Sequence, residues 1–235
     1  MFAAVTRRSL FQLAGGAALL RAQNAAPAPP ITAPNEPIGV ARGLNPGRVV
    51  WTREAKAATW GGSGDGHWWE HRATNETLVD NMMTRAIREL AGQSTGPAAW
   101  DALFRNFNAS RGRAGSGYTK GERVTIKANL VGCIHFEKNI DAETYEFVRK
   151  PDYMNTSPQI MAALIRQLVR QAGVDPKDIA VGDTLALFPK AYYDIIGAEF
   201  AGVSFLDCTG GNARHLRTRV EASKVAIETN KQVFV

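Results

Sequence analysis

The amino-acid sequence predicts an α/β fold: a mostly parallel sheet flanked by helices, preceded by an irregular region rich in tryptophan and glycine. Three observations carry this. Short runs rich in β-branched and apolar residues at 123–129, 179–182 and 203–206 alternate with amphipathic stretches at helical spacing. Capping residues and Gly or Pro punctuate the junctions. From Ser157 onward the links are short, so helix, strand, helix and strand follow the strand at 123–129 in an order that implies parallel pairing through right-handed crossovers.

Taken in order, Asn45-Pro46-Gly47 is a turn and Arg48-Val49-Val50-Trp51-Thr52 reads as a short strand. Trp60-Gly61-Gly62-Ser63-Gly64-Asp65-Gly66 is a glycine-rich loop. Asn75 caps a helix reaching about residue 90, with Leu78, Val79, Met82, Met83, Ala86, Ile87 and Leu90 on one face and Gly92 after its end. A second helix starts near Pro97 and carries Trp100, Leu103, Phe104 and Phe107. The turn at Lys120-Gly121 leads into the strand at 123–129. Ser157 caps a helix with Pro158 in its first position and an apolar stripe of Ile160, Met161, Leu164, Ile165, Leu168 and Val169; Gly173 ends it. Asp175-Pro176 turns into the strand at 179–182, which ends at Asp183-Thr184. A helix over 190–200 and a strand ending at Asp207 complete the pattern.

The chain divides into residues 1–25, a spacer at 26–47 and an α/β domain at 48–235. Arg7-Arg8 in an acid-free segment, then Leu13-Ala14-Gly15-Gly16-Ala17-Ala18-Leu19-Leu20, fits a bacterial twin-arginine export signal, a route that carries folded proteins. The apolar run is about 11 residues, too short for a span of roughly 20, so no transmembrane helix is expected in the mature chain. Small residues at Ala22, Ala25 and Ala26 suit cleavage, and Ala26-Pro27-Ala28-Pro29-Pro30 opens an extended linker. The alternative is a basic tail with a short core helix. Export implies the translocation machinery as a partner and a periplasmic or extracellular location. Without residues 1–25, which hold three arginines and no acid, the formal charge of +6 falls to +3. No dense basic block interleaves with aromatics, so no nucleic-acid partner is expected. Arg105, Arg111 and Arg113 read as a solvated loop.

In open α/β sheets ligands sit outside the carboxyl ends of the strands, at a switch in strand order. Those ends carry Lys127 and Asn129, then Asp183 and Thr184, then Asp207 and Thr209. The start of the Ser157 helix, with Thr156, could hold an anionic group beside them. The alternative for each residue is local: Asp183, Asp207, Thr156 and Ser157 cap the turns and helices that follow them. As an enzyme, the chain would use Lys127 to polarise an anionic ligand and Asn129 to orient it, with Asp183 and Asp207 binding a divalent metal or acting as acid and base. As a non-catalytic binding or assembly protein it would use the Trp-rich segment instead.

Several segments in sequence order resemble the exported members of domain-of-unknown-function family 362. They are Trp60-Gly61-Gly62 with His67-Trp68-Trp69-Glu70, Trp100-Asp101-Ala102-Leu103-Phe104, residues 121–130 with Lys127-Ala128-Asn129-Leu130, Asn155-Thr156-Ser157-Pro158-Gln159, and Val181-Gly182-Asp183. The resemblance spans residues 49–207 and implies no established reaction. The family's Lys-x-Asn-Leu segment places Lys127 and Asn129, with Ala128 where Pro or another residue is usual. Ferredoxin-type cysteine sets of some members are missing, so no iron–sulfur cluster is expected from this chain. Exported members look longer, which makes a chain truncated beyond Val235 the expectation. The order of polar strand end, Thr-Ser-Pro helix and Gly-Asp strand end is also loosely similar in pattern to lactate racemase-like proteins, an analogy that identifies no reaction.

Weaker metal candidates are His67 and His71, four positions apart with Glu70 between them, and Cys133 with His135. The order His67-Trp68-Trp69-Glu70-His71 is not the His-Glu-x-x-His of zinc peptidases. Cys133 and Cys208 are the only cysteines, and their pairing is open. There is no Gly-x-Ser-x-Gly elbow and no P-loop.

Overall fold

The structure, a computed structural model, describes residues 39–209 and the backbone of strands at 215–217, 227–229 and 232–234. The export signal, its cleavage region and most of the spacer lie outside the described residues. Every helix and strand described belongs to one compact unit, Ala41–Val235.

The α/β class is as the sequence predicts. Among the described residues four α-helices, α1 (Glu76–Ala91), α2 (Gly96–Ser110), α3 (Pro158–Arg170) and α4 (Lys190–Gly197), accompany a parallel sheet. Its strands are β1 (Val124–Lys127), β2 (Ile179–Gly182), β3 (Ser204–Asp207) and β4 (His215–Arg217), in spatial order β1-β2-β3-β4. β5 (Ile227–Thr229) and β6 (Gln232–Phe234) form a small antiparallel pair. Spatial order follows sequence order, so the described strands contain no reversal. Among the described strands there is therefore no crevice of the kind such a switch creates, and their ends form one rim.

The register explains the core. Val124, Ile126, Ile179, Val181 and Phe205 share one face, on which Ile179, Val181 and Phe205 are buried. α3 and α4 pack against each other, and Met161, Ile165, Leu168, Tyr192 and Ile196 join that core. The opposite face carries Thr125, Lys127, Ala180, Ser204 and Leu206, all partly or fully exposed. The alternation of apolar and polar residues in β1 (Val124, Thr125, Ile126, Lys127) is therefore that of a strand covered on one side.

The caps act as predicted. The Asn75 Oδ1 accepts from the Leu78 N–H (3.2 Å), Ser157 Oγ from those of Gln159 and Ile160 (3.2 and 3.4 Å), and Gly92 takes a left-handed φ of 68°. α3 departs from its predicted stripe. Ile160 is 47% exposed, whereas Gln159, Arg166 and Gln167 are buried. Their side chains donate to neighbouring elements: Arg166 to Asp80 and Glu199 (2.8 and 2.5 Å), Gln167 Nε2 to Thr84 (2.8 Å), Gln159 Nε2 to the Trp69 carbonyl (2.7 Å). α1 thus docks on α3 partly through polar contacts, and its apolar stripe stays only partly buried.

The predicted strand at 48–52 is not formed. Val49 and Trp51 are 89% and 81% exposed, and no strand pairs with them among the described residues. The Asn45 turn instead ties down the end of α1, with Asn45 Nδ2 donating to the Leu90 carbonyl (3.0 Å) and Arg48 to that of Glu89 (2.9 Å).

Candidate functional site

The rim is built from the register outward. Lys127 stands beside Gly182, and Gly182 beside Leu206. A Cβ at Gly182 would lie 2.0 Å from the Leu206 carbonyl oxygen, so only glycine permits this approach of β2 to β3. The ladder runs one step further, through Ala128 N–H to the Gly182 carbonyl (2.8 Å) and Asp183 N–H to that of Leu206 (3.3 Å). Asp183 is thereby held 6% exposed at the ends of the strands.

Its carboxylate gathers three donors. Oδ1 accepts from the Leu185 N–H (3.0 Å), and Oδ2 from the Leu130 N–H (3.1 Å) and the Lys127 ammonium (3.0 Å). Burial pushes the Asp183 pKa up, but the Leu185 N–H, Lys127 and the Leu130 N–H together outweigh it and hold the group below its ordinary value. Asp183 is accordingly an ionised anchor and counter-ion at neutral pH, a poor proton donor. Lys127 also donates to the Ala128 carbonyl (2.6 Å), and its side chain stays 60% exposed.

The other predicted residues take varied places. Thr156 joins the rim to the start of α3: its N–H donates to the Asn129 carbonyl and its Oγ1 accepts from the Asn129 N–H, both at 2.9 Å. The Asn129 side chain is exposed, as is Thr184. The Ser157 hydroxyl caps α3 and donates to Gln159 Oε1 (2.7 Å), which assigns it a structural task. Asp207 is fully buried, and its Oδ1 accepts from the N–H and Oγ1 of Thr209 (2.8 and 3.0 Å). Thr209 Oγ1 in turn lies 3.1 Å from the Tyr145 hydroxyl. Asp207 therefore stabilises the turn leaving β3.

The metal candidates are not brought together. His67 pairs with Asp152 (2.9 Å), His71 with Glu76 (2.7 Å) and Glu70 with Arg72 (2.7 Å), so the three are held by different partners. The segment turns rather than forming the helix that would align the two imidazoles. Cys133 is buried, its thiol pushed up to about 12 by burial, whereas His135 is exposed. Among the described residues no group of three or more His, Cys, Asp or Glu is placed to hold a metal ion. Cys133 and Cys208 are both free thiols.

Sequence reasoning missed Asn155 and Asp152. Asn155 Oδ1 accepts from the Gly132 N–H (2.8 Å), and its amide lies 3.5 Å from both Cys133 Sγ and the Tyr192 hydroxyl. Asp152 fixes the His67 ring, which stacks on Trp69 at 4.9 Å and 7°. Trp69 stacks in turn with Phe147 and is pinned by its Nε1–H to the Pro151 carbonyl (2.9 Å). A cavity of about 310 Å³ opens at this aromatic stack. Only Asn155, within the Asn-Thr-Ser-Pro segment, carried any signal in the sequence.

Compared with known proteins, the chain matches no family model, no curated protein and no solved structure. No helix among the described residues is long and apolar enough to cross a membrane.

Proposed function

We propose that this is an exported α/β protein that binds a small anionic ligand at the carboxyl ends of β1 to β3, with Lys127 as the charge that meets it. One observation carries the reading: a buried, ionised Asp183 fixes the Lys127 ammonium at the rim while leaving the lysine side chain 60% exposed. Asn129 and Thr184 are exposed neighbours in sequence that would supply neutral hydrogen bonds. In an enzyme built on this rim, Lys127 polarises the ligand oxygen and Asp183 acts as a positioning residue. Membership of domain-of-unknown-function family 362 is part of the same proposal and rests on the order of the quoted segments alone.

Calorimetric titration with inorganic phosphate and with acetate tests the binding. The expected result is saturable binding that weakens at least about tenfold in Lys127→Met and recovers partly in Lys127→Arg. A protein that takes up neither anion sinks the reading. Export rests on residues 1–25: replacing Arg7 and Arg8 together by lysine should retain the protein in the cytoplasmic fraction of a bacterial host. Unchanged fractionation would count against it.

A second reading, a binding protein that works through its Trp-rich segment, is favoured by the cavity beside His67 and Trp69.

A further inference from the structure

The cavity at the Trp-rich segment has an aromatic wall and an excess of negative charge. His67, Trp69, Glu146, Phe147, Lys190 and Asp194 line it. Lys190 and Asp194 form an i,i+4 ion pair on α4 and cancel each other. Glu146 is exposed, and among the described residues no cation pairs with its carboxylate. Behind the wall, Asp152 Oδ1 holds His67 Nδ1 at 2.9 Å. The local sum is negative whether the imidazole is neutral or protonated.

The wall is rigid. His67, Trp69 and Phe147 stack in series, with ring centroids 4.9 and 5.6 Å apart, and Tyr192 packs edge-on against Trp69 and Phe147 at 6.1 and 5.8 Å. The Pro151 carbonyl holds the Trp69 indole N–H, and Gln159 holds the Trp69 carbonyl. Aromatic side chains bind cations through the ring quadrupole, and an anion in the cavity would meet Glu146 unfavourably. With Nδ1 engaged, Nε2 is the imidazole nitrogen left to hydrogen-bond a bound molecule.

We propose that this cavity binds a small organic cation, an ammonium or guanidinium group on an apolar stem, held between Phe147 and Glu146. The inference deepens the second reading above, of which it names the ligand class, and is independent of the Lys127 rim. The stem lies along the aromatic wall and the cationic head faces Glu146. The His67–Asp152 pair sets the far side of the site.

The test is calorimetric titration of the purified protein with choline and with agmatine, against glucose as a neutral probe and, in Lys127→Met so that the rim is silent, acetate as an anionic one. The expected result is saturable binding of both cations, weakened by added salt. Glu146→Gln and Phe147→Leu should each weaken it about fivefold or more. Circular dichroism of each variant should match the parent, which separates loss of the site from loss of the fold. Glucose or acetate binding in the cavity as tightly as the cations would overturn the cation proposal and leave a binding surface standing. Absence of binding by every probe would overturn both. Cation binding that is indifferent to Glu146→Gln and Phe147→Leu would place it elsewhere and overturn the proposal as well.

Discussion

The strand-end rim and the Trp-rich cavity each centre on a carboxylate holding a basic side chain, yet they differ in what surrounds that pair. At the rim, Asp183 is buried and its two oxygens take two backbone N–H groups as well as Lys127. In the cavity, Asp152 is 31% exposed and holds one imidazole, while stacked rings supply the rigidity. One carboxylate is part of the fold's hydrogen-bond accounting; the other orients a side chain over open space. The lesson is that Asp183 should matter first to stability, and Asp152 first to binding.

Removing Asp183 is the most severe way to test that contrast. Asp183→Ala leaves the Leu130 N–H buried without its acceptor and should cost about 2–3 kcal/mol, read as a lower denaturant midpoint at constant slope. Acid should erase the same contribution. Because the folded Asp183 pKa is depressed, its stabilisation is complete above the unfolded value and is lost as pH falls through the folded one. The stability gap between the parent and Asp183→Asn should be constant above about pH 5 and close below the ordinary carboxylate range. A gap that widens in acid would refute this assignment of charge.

Smaller effects sharpen the other side. Asp152→Ala should cost about 0.5–1 kcal/mol, because the pair with His67 is about one-third exposed and water screens it. Its larger effect should be on cavity binding, and a loss as severe as that of Asp183→Ala would erase the distinction. Lys127→Ala should stay within about 1 kcal/mol of the parent in thermal unfolding despite abolishing anion uptake, since its side chain is 60% exposed and Asp183 keeps its two backbone N–H donors. Asn129→Ala should change stability by less than about 0.5 kcal/mol, because its backbone, not its side chain, is what Thr156 holds.

Local signals in the sequence carried far. The caps at Asn75 and Ser157, the glycine after α1 and the β2 strand at 179–182 all sit where residue type alone puts them, because caps and short apolar runs are decided by near neighbours. The stretch at 48–52 misled because β-branched residues describe a willing strand, not a partner for it. α3 misled in a different way: Arg166 and Gln167 look solvent-facing by type, but α1 brings Asp80 and Thr84 onto them. At the rim, convergence of Lys127 with Asp183 was legible from the parallel topology. The roles of Ser157 and Asp207 were not, since a hydroxyl or carboxylate after a strand serves a ligand or a turn equally well by composition. His67 looked like a metal ligand shared with His71 because they are close in sequence, whereas its partner is 85 residues away.

Asp183 also has a kinetic consequence. It reaches back 53 positions to Leu130 and 56 to Lys127, across the whole crossover that contains α3. Those contacts close a long loop, so the rim forms only after β1, α3 and β2 have found one another. A transport route that unravels its cargo would have to rebuild this corner on the far side of the membrane. One that moves folded chains would deliver it already assembled.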